Sequence, residues 1–251
     1  MDVNAYLQRI NYHESLATTL ETLRALHVAH LMTVPFENLD IPLGRPILLN
    51  DEALFLKIVE QRRGGFCYEL NGLFANLLRT LGFPVDMISA SVFNAEGIPG
   101  ADFAHMALLV SLEQRWLVDV GFGDSFRLPL LLEETKEQPQ DGRAYLLNRN
   151  DPYFILVQRD WDGEWKQQYR FTLQPHQYAD YEAMCQFQQT SPDSWFTRRR
   201  ICTRATPEGR ITLSDMRLIT TGNGHRQEST LTDQVAYEAA LREHFGVTIK
   251  Q

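Results

Sequence analysis

The segment Arg63-Gly64-Gly65-Phe66-Cys67-Tyr68-Glu69 holds the residue types best suited to covalent chemistry. Two adjacent glycines let the chain turn sharply and bring backbone close to a bound group. Leu70, Leu73, Phe74, Leu77, Leu78 and Leu81 then recur at helical spacing, with Gly82 closing the helix and Pro84 just beyond. Cys67 therefore falls at or near the first turn of that helix, where free N–H groups and the positive end of the dipole favour a thiolate. The alternative is a small residue packed at a tight helix start, because an unpaired cysteine is often simply core. A nucleophilic cysteine needs a base, and the base needs a group to orient it. His105 lies in an otherwise apolar strand, Phe103–Leu112, and Asp119 lies in the apolar run Trp116-Leu117-Val118-Asp119-Val120. A carboxylate inside such a run is buried and needs a partner. A histidine there is a satisfied core residue unless another polar group uses it. Each would satisfy the other, and the Asp–His bond would fix the tautomer and favour the imidazolium that stabilises a thiolate.

That contact constrains the turn between the two strands. A two-residue loop at Glu113-Gln114 sets Asp119 opposite Leu108, which points away from the His105 face. An odd loop restores the face. With Leu112-Glu113-Gln114 as loop, Asp119 opposes Ala107; with a loop centred on Leu112, it opposes His105 directly. If these strands pair directly, an odd loop or a β-bulge is expected between residues 110 and 116.

Arg63-Gly64-Gly65-Phe66-Cys67, Phe103-Ala104-His105-Met106 and Val118-Asp119-Val120-Gly121-Phe122-Gly123, in this order, resemble the arylamine N-acetyltransferase family. Pro35-Phe36-Glu37-Asn38-Leu39 is a further match. The motifs are dense over residues 35–126 and weak after about 175. The resemblance implies a catalytic triad of Cys67, His105 and Asp119, and a ping-pong reaction. Acetyl-CoA acetylates Cys67, CoA leaves, and an arylamine, arylhydrazine or N-hydroxyarylamine takes the acetyl group. Acetyl-CoA is then a substrate, and no metal or prosthetic group is implied. Phe122, Asp124 and Phe126 lie in the loop that shapes the acceptor pocket in this family. Two aromatic rings there would stack with an aromatic acceptor; the alternative is that both phenylalanines are core and Asp124 a plain turn residue. Glu37 and Arg63 both fall in matched motifs and are expected to form an ion pair that holds the Cys67 loop. Arg198-Arg199-Arg200 reads as a solvated stretch rather than a contact for CoA phosphates. Thiol hydrolases, transglutaminase-like enzymes and amide synthases also use such a triad, and a binding protein without turnover is the non-enzymatic alternative. Acyl transfer from acetyl-CoA to Cys67 separates these.

The elements that must position these residues change character along the chain. Helical spacing covers Leu16 to Leu31 behind Ser15 as cap, then 51–62 behind Asn50 or Asp51, then the Cys67 helix. Short apolar or β-branched strands follow at Val85–Phe93, Phe103–Leu112, Arg115–Val120, Tyr153–Arg159 and Trp165–Leu173, the last two joined by the turn Trp161-Asp162-Gly163-Glu164. The last third mixes a helix near 176–189, strands near 195–204 and 211–219, and a helix from the cap Thr232 to Phe245. This order predicts an α+β fold. The resemblance supplies its parts: a helical bundle over 1–83 with the cysteine, an antiparallel β-barrel-like domain over 84–175 with the histidine and aspartate, and an α/β lid over 176–251.

With 251 residues the chain spans one large domain or two or three small ones. Its net charge of −8 disfavours a nucleic-acid surface. No apolar stretch approaches the ~18 residues of a membrane span, and the start shows no signal peptide. Cys67, Cys185 and Cys202 include no C-x-x-C pair, so a reducing cytoplasm and free thiols are expected.

Overall fold

Capping decides where the helices begin. The computed structural model describes residues 1–249 apart from 134, 161, 162 and 223, so the turn read at Trp161-Asp162 lies outside the described residues. Helix α1 (Val3–Arg9), absent from the sequence reading, starts behind Asp2, whose carboxylate accepts the Ala5 N–H. Helix α2 (Leu20–Thr33) starts behind Thr19, whose hydroxyl accepts the Thr22 N–H at 3.3 Å. Ser15, the expected cap, accepts the Ala17 N–H in a local turn instead. Strand β1 (Phe36–Glu37) follows α2. Helix α3 (Asp51–Phe55), capped by Asn50, runs on into a π-helical turn at Leu56–Glu60. Helix α4 (Cys67–Thr80) ends before Gly82, which takes the left-handed φ of 91°.

The middle of the chain makes an antiparallel sheet of β2 (Val85–Val92), β3 (His105–Ser111), β4 (Arg115–Val118), β5 (Leu130–Leu131), β6 (Gln138–Gln140), β7 (Arg143–Asn150), β8 (Tyr153–Asp160) and β9 (Lys166–His176). Its order is β5-β4-β3-β2-β9-β8-β7-β6. Side chains join the two edges: the Gln138 amide bonds the Leu131 N–H and carbonyl, and the Gln140 amide bonds the Arg127 and Leu128 N–H groups and the Leu128 carbonyl. Amides standing in for backbone pair the two edges and give the sheet its barrel-like closure. The sequence reading missed β5, β6 and β7. The first two are only two and three residues long, and Arg143–Asn150 mixes charged and polar residues with its apolar ones.

Helix α5 (Tyr178–Thr190) and the short α6 (Trp195–Arg198) lead into β10 (Ile201–Thr206), β11 (Gly209–Ser214), β12 (Arg217–Gly222) and β13 (His225–Thr230). The expected strand at 195–204 is thus a helical turn and then a strand. The expected strand at 211–219 is two strands, reversed at Asp215, whose φ of 51° an aspartate tolerates. β1 pairs with β10, so a strand from the first third forms the edge of the last sheet, β1-β10-β11-β12-β13. Helix α7 (Gln234–Phe245) is capped by Asp233 rather than Thr232 and packs Tyr237, Leu241 and Phe245 onto Cys202 and Leu213. No helix among the described residues is long and apolar enough to cross a membrane.

The β3–β4 turn has the odd loop that the His–Asp contact demands. Ser111 pairs with Arg115 and Leu108 with Val118, leaving the three-residue loop Leu112-Glu113-Gln114 closed by a 2.9 Å bond from the Leu112 N–H to the Gln114 carbonyl. Met106, Leu108, Val110, Trp116 and Val118 pack towards α4, while Ala107, Leu109 and Leu117 face the barrel interior. His105 and Asp119 share the interior parity.

Candidate active site

Cys67 is the first residue of α4 and is 3% exposed. The Glu69 carboxylate accepts the Phe66 N–H at 3.0 Å and fixes the first turn. The glycines before Cys67 are closely packed: a β-carbon at Gly64 would lie 2.0 Å from the Pro35 carbonyl oxygen, and one at Gly65 would lie 2.7 Å from the Glu69 Cβ. Gly121 is the glycine that meets Cys67, since a β-carbon there would lie 2.8 Å from the Cys67 Cα. Burial pushes the Cys67 thiol up, although backbone N–H groups of Met106 and Tyr68 act against this. A proton acceptor beside the thiol would offset that desolvation.

His105 lines the same cleft as Cys67 and is bonded to Asp119. His105 Nε2 lies 2.7 Å from Asp119 Oδ2. Burial pushes the Asp119 carboxyl up, but His105 and bonds from Asn71 and Gly121 outweigh it and hold the group below the usual carboxylate range. An ionised carboxylate only accepts, so the proton sits on Nε2 and Nδ1 is the basic nitrogen. Asp119 Oδ1 accepts Asn71 Nδ2 and the Gly121 N–H, both at 2.9 Å, and Oδ2 also accepts the Tyr169 hydroxyl at 3.0 Å. Asn71 also donates to the Met106 carbonyl and accepts the Val120 N–H, tying α4 to the segments that carry His105 and Asp119. Asn71 lies one helical turn from Cys67, a spacing that could have flagged it. Just upstream of His105, Phe103 takes a φ of 60°, costly for a bulky side chain, with its carbonyl bonded to Tyr68 and its N–H to Ser89.

Cys67 and His105 share a cleft of about 600 Å³ with Gly121 and Phe122. The Phe122 ring stands edge-on to His105 and to Tyr169, each at 5.1 Å. Phe36, Phe187, Trp195 and Phe196 form further aromatic lining that the sequence reading did not assign. Phe36 stood inside the quoted Pro-Phe-Glu motif, while the other three sit on α5 and α6, where nothing local marks them. Phe126 is not on this cleft. It is 1% exposed in the barrel core, stacked on His27 at 5.8 Å. Asp124 reaches the cleft wall but is no plain turn residue: Arg143 holds both its oxygens at 2.7 and 3.1 Å, and Arg210 approaches at 3.0 Å. Arg198 and Arg199 are exposed, and Arg200 lies over the Tyr237 ring; none of the three lines the cleft. Cys185 and Cys202 are buried and neither lines the cleft. Iodoacetamide should therefore alkylate Cys67 well before either, as peptide mapping by mass spectrometry would read; equal labelling of all three would count against a reactive Cys67.

Around the start of the Cys67 helix runs a chain of buried charges. Arg63 Nη2 lies 2.8 Å from Glu37 Oε1 and 3.1 Å from Asp40 Oδ1, so the expected pair is formed and extended. Lys57, presented by the π-helical turn, lies 2.7 Å from both Asp40 Oδ2 and Glu69 Oε1. Burial pushes Glu69 up to about 6, more than Lys57 pulls it down. A carboxyl raised from 4.5 to about 6 contributes stability that is full below about 4.5 and lost as pH rises through about 6. Glu69→Gln should flatten that fall, measured as the denaturant midpoint across this interval. An unchanged slope would show that Glu69 does not titrate there. Among the described residues no cluster of His, Cys, Asp and Glu could hold a metal ion.

A family model described as N-acetyltransferase matches residues 19–251. The chain is 35% identical over 254 residues to an arylamine N-acetyltransferase of Escherichia coli, covering 98% of this chain and 89% of the relative. It is 33% identical over 248 residues to proansamycin X synthase of Amycolatopsis mediterranei, covering 96% and 95%. It is also similar to the solved structure of Mycobacterium marinum arylamine N-acetyltransferase in complex with CoA, with a TM-score of 0.90 at 32% identity, over 98% of this chain and 93% of that one.

Proposed function

Because the chain belongs to the arylamine N-acetyltransferase family, we propose that it moves an acetyl group from acetyl-CoA to an arylamine or arylhydrazine through a thioester on Cys67. The observation that carries this reading is the shared cleft, with Cys67 and the Asp119-bonded His105 on one side and aromatic rings on the others. In the first half-reaction His105 Nδ1 takes the thiol proton. Cys67 Sγ bonds to the acetyl carbon, the bond from that carbon to the CoA sulfur breaks, and the imidazolium returns the proton to the departing sulfur. Exchange of one thioester for another is close to isoergic, which suits sulfur better than an alkoxide. In the second half the amine nitrogen bonds to the acetyl carbon, the carbon–Sγ bond breaks, and the amine proton passes to neutral His105. Aromatic amines are weakly basic and mostly unprotonated at neutral pH, so no stronger base is needed. Phe122 and Trp195 offer ring faces and edges to an aromatic acceptor. Residues 176–251 close the cleft as a lid through Phe187, Trp195 and Phe196, over the barrel of 84–175 and the helices of 1–83.

The reading is tested by incubation with acetyl-CoA, mass analysis of the Cys67 peptide, and then addition of an arylamine and hydrazine panel with free CoA thiol as readout. Acetyl-Cys67 should accumulate without an acceptor and discharge when one is added. An adduct that hydrolyses equally fast with and without amine would mark a thiol hydrolase. Absence of any adduct would overturn acetyl-CoA as donor. An amide-synthase role would appear as acylation of Cys67 by a larger thioester in preference to acetyl-CoA.

A further inference from the structure

Three successive backbone N–H groups follow the end of β4 at Val118, and each is met by a side chain. Asn71 accepts from Val120, the Asp119 carboxylate accepts from Gly121, and His27 Nε2 accepts from Asp119 at 3.2 Å. A buried N–H left without an acceptor is costly, so His27 stands in for the missing strand neighbour. Its other nitrogen lies 2.7 Å from the Arg127 carbonyl oxygen, which assigns the proton to Nδ1. Both ring positions are therefore specified, donor at one end and acceptor at the other. The two partners bracket one segment, residues 119–127, which carries Gly121, Phe122 and Asp124 along the cleft. His27 is fully buried in α2, parallel to Phe126 at 5.8 Å and edge-on to Phe74 at 6.2 Å.

We propose that His27 is a positioning residue: by bonding the Asp119 N–H and the Arg127 carbonyl it clamps both ends of the acceptor loop, and so sets the carboxylate that orients His105 and the ring of Phe122. It touches neither substrate nor reacting atoms. The proposal deepens the Cys67 reading and rests on it for its kinetic arm alone. Burial lowers the His27 pKa to about 4, which keeps the ring neutral and able to accept. The titratable groups nearest it are Asp119 and His30, and His30 is itself driven well below its usual value by burial. A protonated ring would present two donors to the loop and lose the Asp119 bond.

Two variants test this. His27→Leu keeps the packing and removes both bonds; His27→Gln keeps one donor and one acceptor. The first measurement is the pH profile of Cys67 alkylation by iodoacetamide, which reads the thiolate and needs no acyl donor. The second is the rate of Cys67 acetylation and the KM for an aromatic amine. His27→Leu should shift the alkylation profile to higher pH, slow acetylation about tenfold or more and raise the acceptor KM, while His27→Gln should restore most of each. If His27→Leu does not fold, His27→Asn, too short to span both partners, takes its place with the same expected direction. A parent-like alkylation profile in whichever variant folds would overturn the proposal, as would equal losses in the Leu and Gln variants. If the parent is never acetylated, the Cys67 reading fails, and the alkylation arm still decides the role of His27.

Discussion

Cys67→Ala should abolish acetyl transfer, by about 10⁴-fold or more, with the fold near normal. The side chain is small and buried at a helix start, so alanine removes one sulfur from well-packed surroundings and leaves the helix intact. Neither Cys185 nor Cys202 lines the cleft that Cys67 shares with His105, so neither is placed to replace it. Cys67→Ser should be almost as inactive. Burial already opposes ionisation of the thiol, and a hydroxyl starts from a far weaker acid in the same site. The measurement is CoA release with a saturating aromatic amine, beside circular dichroism for the fold. An alanine variant that keeps appreciable transfer would exclude a Cys67 thioester.

Arg63→Ala should cost about 3–5 kcal/mol of stability, and activity with it. The Arg63 side chain is 4% exposed, and its guanidinium meets Glu37 twice, Nε at 2.9 Å and Nη2 at 2.8 Å, as well as Asp40. Truncation strands the fully buried Glu37 carboxylate without its cation and leaves Asp40 leaning on Lys57. Glu37 also accepts the Leu39 and Gly64 N–H groups, and its own N–H bonds the Gly65 carbonyl. The loss therefore reaches the loop that sets Cys67. Arg63→Lys should recover only part of the loss, since an ammonium cannot reproduce the fork. Urea midpoints compare the variants, and a drop under about 1 kcal/mol for alanine would mean that Glu37 finds another partner or water.

The chemistry at residues 63–67, 105 and 119 was legible because each piece is anomalous against its local background. Two glycines stand before a cysteine at a helix start, and two polar residues interrupt apolar strands. The parity argument for the β3–β4 turn held for the same reason: side chains alternate with a period of two, so one required contact restricts the loop to odd lengths. Which odd length was not legible. Of the two registers, the structure has the one that leaves Asp119 beyond the last paired residue, Val118, and the side chains close the remaining distance. Helix starts were displaced by up to a few residues because Ser15 and Thr19, or Thr232 and Asp233, are comparable caps until packing selects one.

What the amino-acid sequence determined by itself is local: the helix that begins at Cys67, the strands that carry His105 and Asp119, and the odd turn between them. These follow from period, caps and steric rules that act over a few residues. The tertiary structure decided everything that depends on desolvation or on residues far apart in the chain. Burial pushes the Cys67 thiol up against the backbone N–H groups that favour the thiolate, a desolvation that depends on the packed tertiary structure. Phe126 faces the core while Phe122 faces the cleft, although both are phenylalanines of one short loop. His27, Asn71 and Tyr169 converge on the Asp119 segment from α2, α4 and β9, each meeting a buried polar group that its own element leaves unpaired.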